Sequence, residues 1–140
     1  MSTLIRPYRT EDQEAVSALW NDCFAYPAPH NDPDLSIRRK LAVQDGLFFV
    51  AEENGGIVGT VMAGWDGHRG WIYSLAVDPS RRRRGIGRSL VERAVAELKE
   101  RDCPKVNLQV IGGNTAAVRF YEDLGFAVED RISMGRKLYT

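Results

Sequence analysis

Apolar positions along the chain first recur with a helical period. Val16, Leu19, Trp20, Cys23 and Phe24 fall three or four residues apart, which puts them on one face of a helix. Thr10 with Gln13 fits a capping box at its start. The preceding Leu4-Ile5-Arg6-Pro7-Tyr8-Arg9 reads as a short strand. Pro7 assigns it to a sheet edge, because proline has no N–H to give a ladder. Pro27, Pro29 and Pro33 make 26–33 a loop. Asp34 is expected to cap a second helix running to about Gln44 and stopping at Asp45-Gly46.

The pattern then changes to strands. Residues 47–52 and 57–65 read as a pair, with Asn54-Gly55-Gly56 between them as a hairpin signal. Asp66-Gly67-His68-Arg69-Gly70 is a second turn, and 71–77 is a third strand stopped by Asp78-Pro79. A helix follows to about Asp102, and Ile86, Leu90, Val91, Ala94, Val95 and Leu98 mark its buried stripe. Residues 105–111 read as a strand. Gly112-Gly113 forms a loop, and Asn114 caps a helix that ends at Leu124-Gly125. Residues 126–130 and 133–139 read as the last two strands. This order predicts an α+β three-layer sandwich, a mixed central sheet flanked by about four helices.

Composition narrows the picture. The 140 residues suit one domain spanning 1–140, and 44% hydrophobic with 27% charged residues is a globular balance. Formal net charge is zero, so the overall positive field of a nucleic-acid binder is missing. Cys23 and Cys103 are too few for a disulfide framework and read as free thiols in a reducing cytoplasm. No apolar run reaches the length of a membrane span, and the first residues lack the apolar region of a signal peptide. The histidines and cysteines are scattered without metal-ligand spacing, so no metal is expected.

One segment carries candidate chemistry. After Ser74-Leu75-Ala76-Val77-Asp78-Pro79, the run Arg82-Arg83-Arg84-Gly85-Ile86-Gly87 opens a helix. Helix N-termini leave backbone N–H groups unpaired and carry partial positive charge, which suits a pyrophosphate. Glycine keeps side chains from holding phosphate oxygens away. The motif lacks the Gly-Lys-Ser/Thr ending of a Walker A loop and the Gly-x-Gly-x-x-Gly of a dinucleotide fingerprint. Taken alone it reads equally as a solvated basic loop.

Downstream lies Asn114-Thr115-Ala116-Ala117-Val118-Arg119-Phe120-Tyr121-Glu122-Asp123-Leu124-Gly125-Phe126. The Arg-x-x-Gly-x-Gly element, followed after one helix and one strand by Asn…Phe-Tyr-x-x-Leu-Gly-Phe, resembles the GCN5-related N-acetyltransferase (GNAT) family. The likeness runs through nearly the whole chain. Asn31-Asp32-Pro33, Ile37-Arg38-Arg39-Lys40 and Asp66-Gly67-His68-Arg69-Gly70 are similar to a bacterial branch labelled YpeA-like.

The resemblance implies an acetyl-CoA-dependent N-acetyltransferase. The pyrophosphate would meet backbone N–H groups of Arg82, Arg83, Arg84, Gly85, Ile86, Gly87 and Arg88, with Ser89 close by. The pantetheine would run along Leu75, Ala76 and Val77, and the N–H of Leu75 or a neighbour would face the thioester carbonyl, where it would stabilise the developing oxyanion. Asn114, Ala117, Phe120 and Tyr121 match positions that face the cofactor, and Asn114 also reads as a plain helix cap. Tyr121 is the candidate general acid for the departing thiolate. The base is open: Asp66 and His68 are candidates, with Asp32 as a third, and Tyr73 is a residue able to orient a water. Asp66 also reads as a turn former. Asn31, Asp32, Asp66, His68 and Tyr73 are the candidate acceptor-binding residues. Trp65 and Trp71 are further candidates for that pocket, whereas Trp20 belongs to the helical core stripe. The acceptor would be a primary amine of a small molecule or of a peptide or protein N-terminus, with direct transfer. A non-catalytic CoA-binding sensor or interaction module is the alternative. A strand-mediated homodimer is common in the family and is left open.

Overall fold

The computed structural model describes residues 3–24 and 32–138. The chain divides into two compact units, Met1–Leu108 and Gln109–Thr140.

The first unit is built on a five-stranded sheet in the order β1-β2-β3-β4-β5. Strands β1 (Leu4–Pro7), β2 (Phe48–Glu53), β3 (Gly56–Trp65) and β4 (Gly70–Val77) form an antiparallel meander, and β5 (Val106–Asn107) lies parallel to β4. Pro7 sits on the edge strand, as its missing donor requires. The β2–β3 turn pairs Glu53 with Gly56 across Asn54 (φ 50°) and Gly55 (φ 80°). Two consecutive positive φ values give the turn whose twist matches the flanking strands, and Asn-Gly is the sequence that adopts it.

Helices α1 (Gln13–Cys23) and α2 (Pro33–Val43) lie on one side of this sheet. Val16, Leu19 and Trp20 of α1 and Ile37 of α2 pack there with Phe48, Val50, Met62 and Ala76. Helix α3 (Ile86–Glu100) covers the other face with Ile86, Leu90, Val91, Ala94 and Leu98, all buried. It lies close on β3 at Gly59, where an added Cβ would come within 2.9 Å of Leu90 Cδ1 and 3.2 Å of Ile86 Cγ2.

Two expected caps are corrected. A 3-10 turn (Thr10–Asp12) precedes α1, and Asp12 takes the Arg9 N–H at 2.8 Å where the Thr10–Gln13 box was expected. Asp12 also receives both Arg6 guanidinium nitrogens at 2.8 Å, so a buried carboxylate pins the start of α1 to β1. For α2 the cap is Asp32, whose Oδ2 accepts from Leu35 N at 3.2 Å, with Pro33 at the first helical position. Asp34 instead receives the side chains of Ser17 and Gln13.

The second unit holds α4 (Thr115–Asp123), whose N-terminus is capped by Asn114 Oδ1 accepting from Ala117 N at 3.1 Å. Gly125 (φ 93°) turns the chain at its end, and Phe126 N bonds back to Tyr121 O at 3.0 Å. Strands expected at 126–130 and 133–139 are absent among the described residues, and the one expected at 105–111 is confined to Val106–Asn107. An alternating pattern shows that a segment can serve as a strand. Whether it does depends on a partner, because an unpaired strand leaves its backbone groups unsatisfied. Val128, Ile132 and Met134 accordingly remain exposed.

Candidate functional site

The site begins in β4. Thr60 pairs with Ala76 and Met62 with Tyr73, so Ser74 and Leu75 together stand opposite the single Val61. This is a β-bulge, and Ser74 takes the left-handed conformation at φ 53°. A bulge takes its extra residue out of the regular ladder. On the other side, β5 pairs with β4 only at Gly70 and Trp71, so the ladder ends before Ile72–Val77 is reached.

The chain after β4 is shaped for an anion. Asp78 caps a short 3-10 turn, Pro79–Arg81, through the Ser80 N–H at 2.9 Å. Arg81 turns inward to Glu53, with Nε 2.9 Å from Oε1, and Thr3 holds the second oxygen at 2.7 Å. Those hydrogen bonds hold the Glu53 carboxyl below the usual carboxylate range. Arg82, Arg83 and Arg84 are exposed. Arg83 (φ 66°) and Gly85 (φ 79°) are both left-handed, and Gly85 starts α3 without any side-chain cap. The first-turn amides of a fifteen-residue helix therefore meet no side-chain cap from Gly85 and follow directly on a run of exposed arginines. That donor set fits a diphosphate. Cys23 Sγ lies 3.6 Å from the Val77 carbonyl, and burial pushes its thiol pKa up.

The expected acceptor-side residues are placed as follows. Tyr73 projects from β4 half-exposed, and its hydroxyl lies 3.0 Å from Lys40 Nζ. Lys40 is buried, paired with Asp45 at 2.8 Å and hydrogen-bonded to the Ala63 carbonyl. Asp66 Oδ1 accepts from both His68 N and Arg69 N at 2.7 Å, which lowers its pKa and closes the β3–β4 turn. His68 is exposed on that turn. Asp32 is engaged as the α2 cap. Asn31 lies outside the described residues. Trp20 is in the core, as its place on the stripe predicts.

Asn114, Ala117, Phe120 and Tyr121 lie in the second unit on α4. The Tyr121 ring meets Phe120 and Phe126 edge-on, with centroids 5.0 and 5.7 Å away. Burial raises its phenol pKa above the ordinary tyrosine value.

Sequence reasoning missed three features. The Ser74 bulge had no local signal, since serine is not a residue that favours φ > 0. Thr60 reads as an ordinary strand residue, yet it is wholly buried and hydrogen-bonded on both sides. Lys40 did carry a signal: it follows Ile37 by three residues, on the buried face of α2. Among the described residues, no group of three or more His, Cys, Asp or Glu is placed to hold a metal ion, and no helix is long and apolar enough to cross a membrane.

Comparison with known proteins bears on the family and the fold. The model of the acetyltransferase (GNAT) family matches residues 13–126. An acetyltransferase of Pectobacterium atrosepticum is 46% identical over 134 residues, covering 96% of this chain and 94% of its own. Among solved structures, Ard1 from Thermoplasma volcanium superposes with a TM-score of 0.81 at 25% identity, over 92% of this chain and 85% of that one. The ribosomal-protein-S18-alanine N-acetyltransferase from Escherichia coli gives 0.72 at 27% identity, over 89% and 77%.

Proposed function

Since this chain belongs to the acetyltransferase (GNAT) family and is thereby an acyltransferase that uses acetyl-CoA, we propose that it transfers acetyl directly to a primary amine of a small molecule or of a peptide or protein N-terminus. The observation that carries this reading is the continuity of one segment. The β4 bulge, the strand end after it and the uncapped start of α3 follow one another between Ser74 and Ser89. Acetyl-CoA supplies an activated thioester, and these residues can hold it along its length.

In this reading the amides of Arg82 to Arg88 bind the pyrophosphate, and the arginine side chains add charge around it. Ser89 flanks this loop. The backbone of Leu75, Ala76 and Val77 pairs with the pantetheine arm as an added strand would. The Leu75 N–H donates to the thioester oxygen and strengthens that bond as negative charge develops there. Tyr121, protonated at neutral pH as any ordinary phenol is, gives its proton to the departing thiolate. Asn114, Ala117 and Phe120 are assigned to the cofactor by their match to the family motif. The half-buried Cys23 thiol, its pKa raised beside the Val77 carbonyl, is poorly suited to carry an acyl group, which favours direct transfer.

The acceptor enters beside Tyr73, Asp32 and the Asp66–His68 turn. Its ammonium must lose a proton before attack. His68 is the stronger candidate base of that turn, because the Asp66 carboxylate is already committed to two amides and is the weaker base for it. The match to an enzyme that acetylates a ribosomal protein's alanine supports a peptide N-terminus as one acceptor class. We also read the two units as one functional domain, because the family match runs across their boundary.

Calorimetric titration with acetyl-CoA, followed by a thiol-release assay over a panel of amines and N-terminal peptides, tests the reading. Binding with turnover on any acceptor supports it. Binding without thiol release on every acceptor would leave the non-catalytic module instead.

A further inference from the structure

Ser74 holds a left-handed backbone conformation that L-residues rarely adopt, so something must fix it. Its carbonyl accepts a hydrogen bond from Thr60 Oγ1 at 3.0 Å. The Thr60 hydroxyl in turn accepts from Trp20 Nε1 at 2.8 Å. Thr60 is 0% exposed and Trp20 1% exposed, so water does not compete for either group. The direction of this chain is set by donor inventory. An indole N–H can only donate, so Thr60 oxygen receives there and its single proton goes to the Ser74 carbonyl.

That carbonyl belongs to the same planar trans peptide as the Leu75 N–H. In such a unit the C=O and N–H point in opposite directions. Pulling the Ser74 oxygen toward Thr60 on β3 therefore turns the Leu75 N–H away from β3. It faces the side where the β5 ladder has already ended at Trp71. Hydrogen bonds in series also polarise one another, so donation into the carbonyl makes the N–H a better donor.

We propose that Thr60, backed by Trp20, is a positioning residue for acetyl transfer, fixing the direction and strength of the Leu75 N–H that polarises the thioester. The proposal rests on the reading that this amide faces the thioester oxygen. Nothing in the sequence motifs marks Thr60, because it acts through a peptide unit of the next strand.

The test uses Thr60→Val, which keeps the shape and removes the hydroxyl, Thr60→Ser, which restores the hydroxyl, and Trp20→Phe, which removes the outer donor together with part of the buried ring. Each is assayed for kcat, acetyl-CoA Kd and the infrared stretch of carbonyl-labelled acetyl-CoA bound to the protein. In the parent protein the stretch should fall below that of free acetyl-CoA. In Thr60→Val it should return toward the free value, with kcat lower by about ten- to a hundredfold and Kd changed by less than about threefold. Thr60→Ser should recover both readouts, and Trp20→Phe should lie between. A Thr60→Val protein with the parent's stretch overturns the proposal whether or not kcat falls, since a fall without a spectral change marks a structural role only. If Thr60→Val does not fold, an unshifted stretch in Trp20→Phe overturns it equally. A parent protein whose bound stretch equals that of free acetyl-CoA would instead refute the assignment of Leu75, and the proposal with it.

Discussion

Two side chains show how burial directs charge and protons. Asp12 is buried against Arg6, whose two hydrogen bonds hold its carboxyl well below the usual carboxylate range. Because the folded pKa is the lower one, this stabilisation is complete above the unfolded value near 4 and fades as pH falls through the folded value. Asp12→Asn should cost about 3–5 kcal/mol at pH 7, since it leaves Arg6 buried with only Glu52 as its charged partner. The deficit should shrink toward pH 2–3; urea unfolding at both pH values measures it, and an equal deficit at each would contradict the assignment. Tyr121 is the second case. Tyr121→Phe should lower kcat about a hundredfold, within the range for a lost general acid, and leave acetyl-CoA affinity within about twofold. Stopped-assay kinetics with calorimetry on the same preparation decides it, and an unchanged kcat removes Tyr121 from proton transfer.

Elements set where those side chains can work. Helix α3 approaches β3 at Gly59 so closely that any added side chain would force Leu90, Ile86 or the Ala76 carbonyl to shift. Gly59→Val should destabilise the fold by about 1–3 kcal/mol through overpacking. It should also weaken acetyl-CoA binding, because Ile86, displaced by the new side chain, begins the helix whose amides are proposed to bind the phosphates. Thermal unfolding alongside calorimetry tests both, and lost stability with unaltered affinity would show that the loop tolerates movement of its helix. The elements were legible where one local period dominates. The α1 and α3 stripes and the Asn54-Gly55 hairpin follow from spacing and turn chemistry alone. The segment 126–138 was not legible, because its alternation states a capacity for pairing and pairing is decided elsewhere in the chain. The bulge at Ser74 was hidden for a related reason: residues on β3 and α1 impose it.

At the scale of the whole chain, a formal charge of zero conceals local asymmetry. Arg82, Arg83, Arg84 and Arg88 crowd one short stretch, all of them exposed. Attraction between exposed charges is screened within about 10 Å at 0.1 M salt. Acetyl-CoA affinity should therefore fall as salt rises, while that of a phosphate-free acetyl-pantetheine should stay nearly constant; parallel slopes for the two would refute a phosphate role for the arginines. The cofactor half of the proposed site could be assembled from the sequence because its candidate residues are contiguous. The acceptor half could not, because Tyr73 owes its setting to Lys40 on a distant helix. The strand order bears also on how the chain folds. Strands β1 to β4 join neighbours in a meander, although α1 and α2 separate the first two, whereas β5 reaches β4 only after α3 has crossed the sheet. Parallel crossovers close larger loops and form late. The arginine loop lies inside that crossover, so nascent chains should acquire the meander first and the ability to bind nucleotide last.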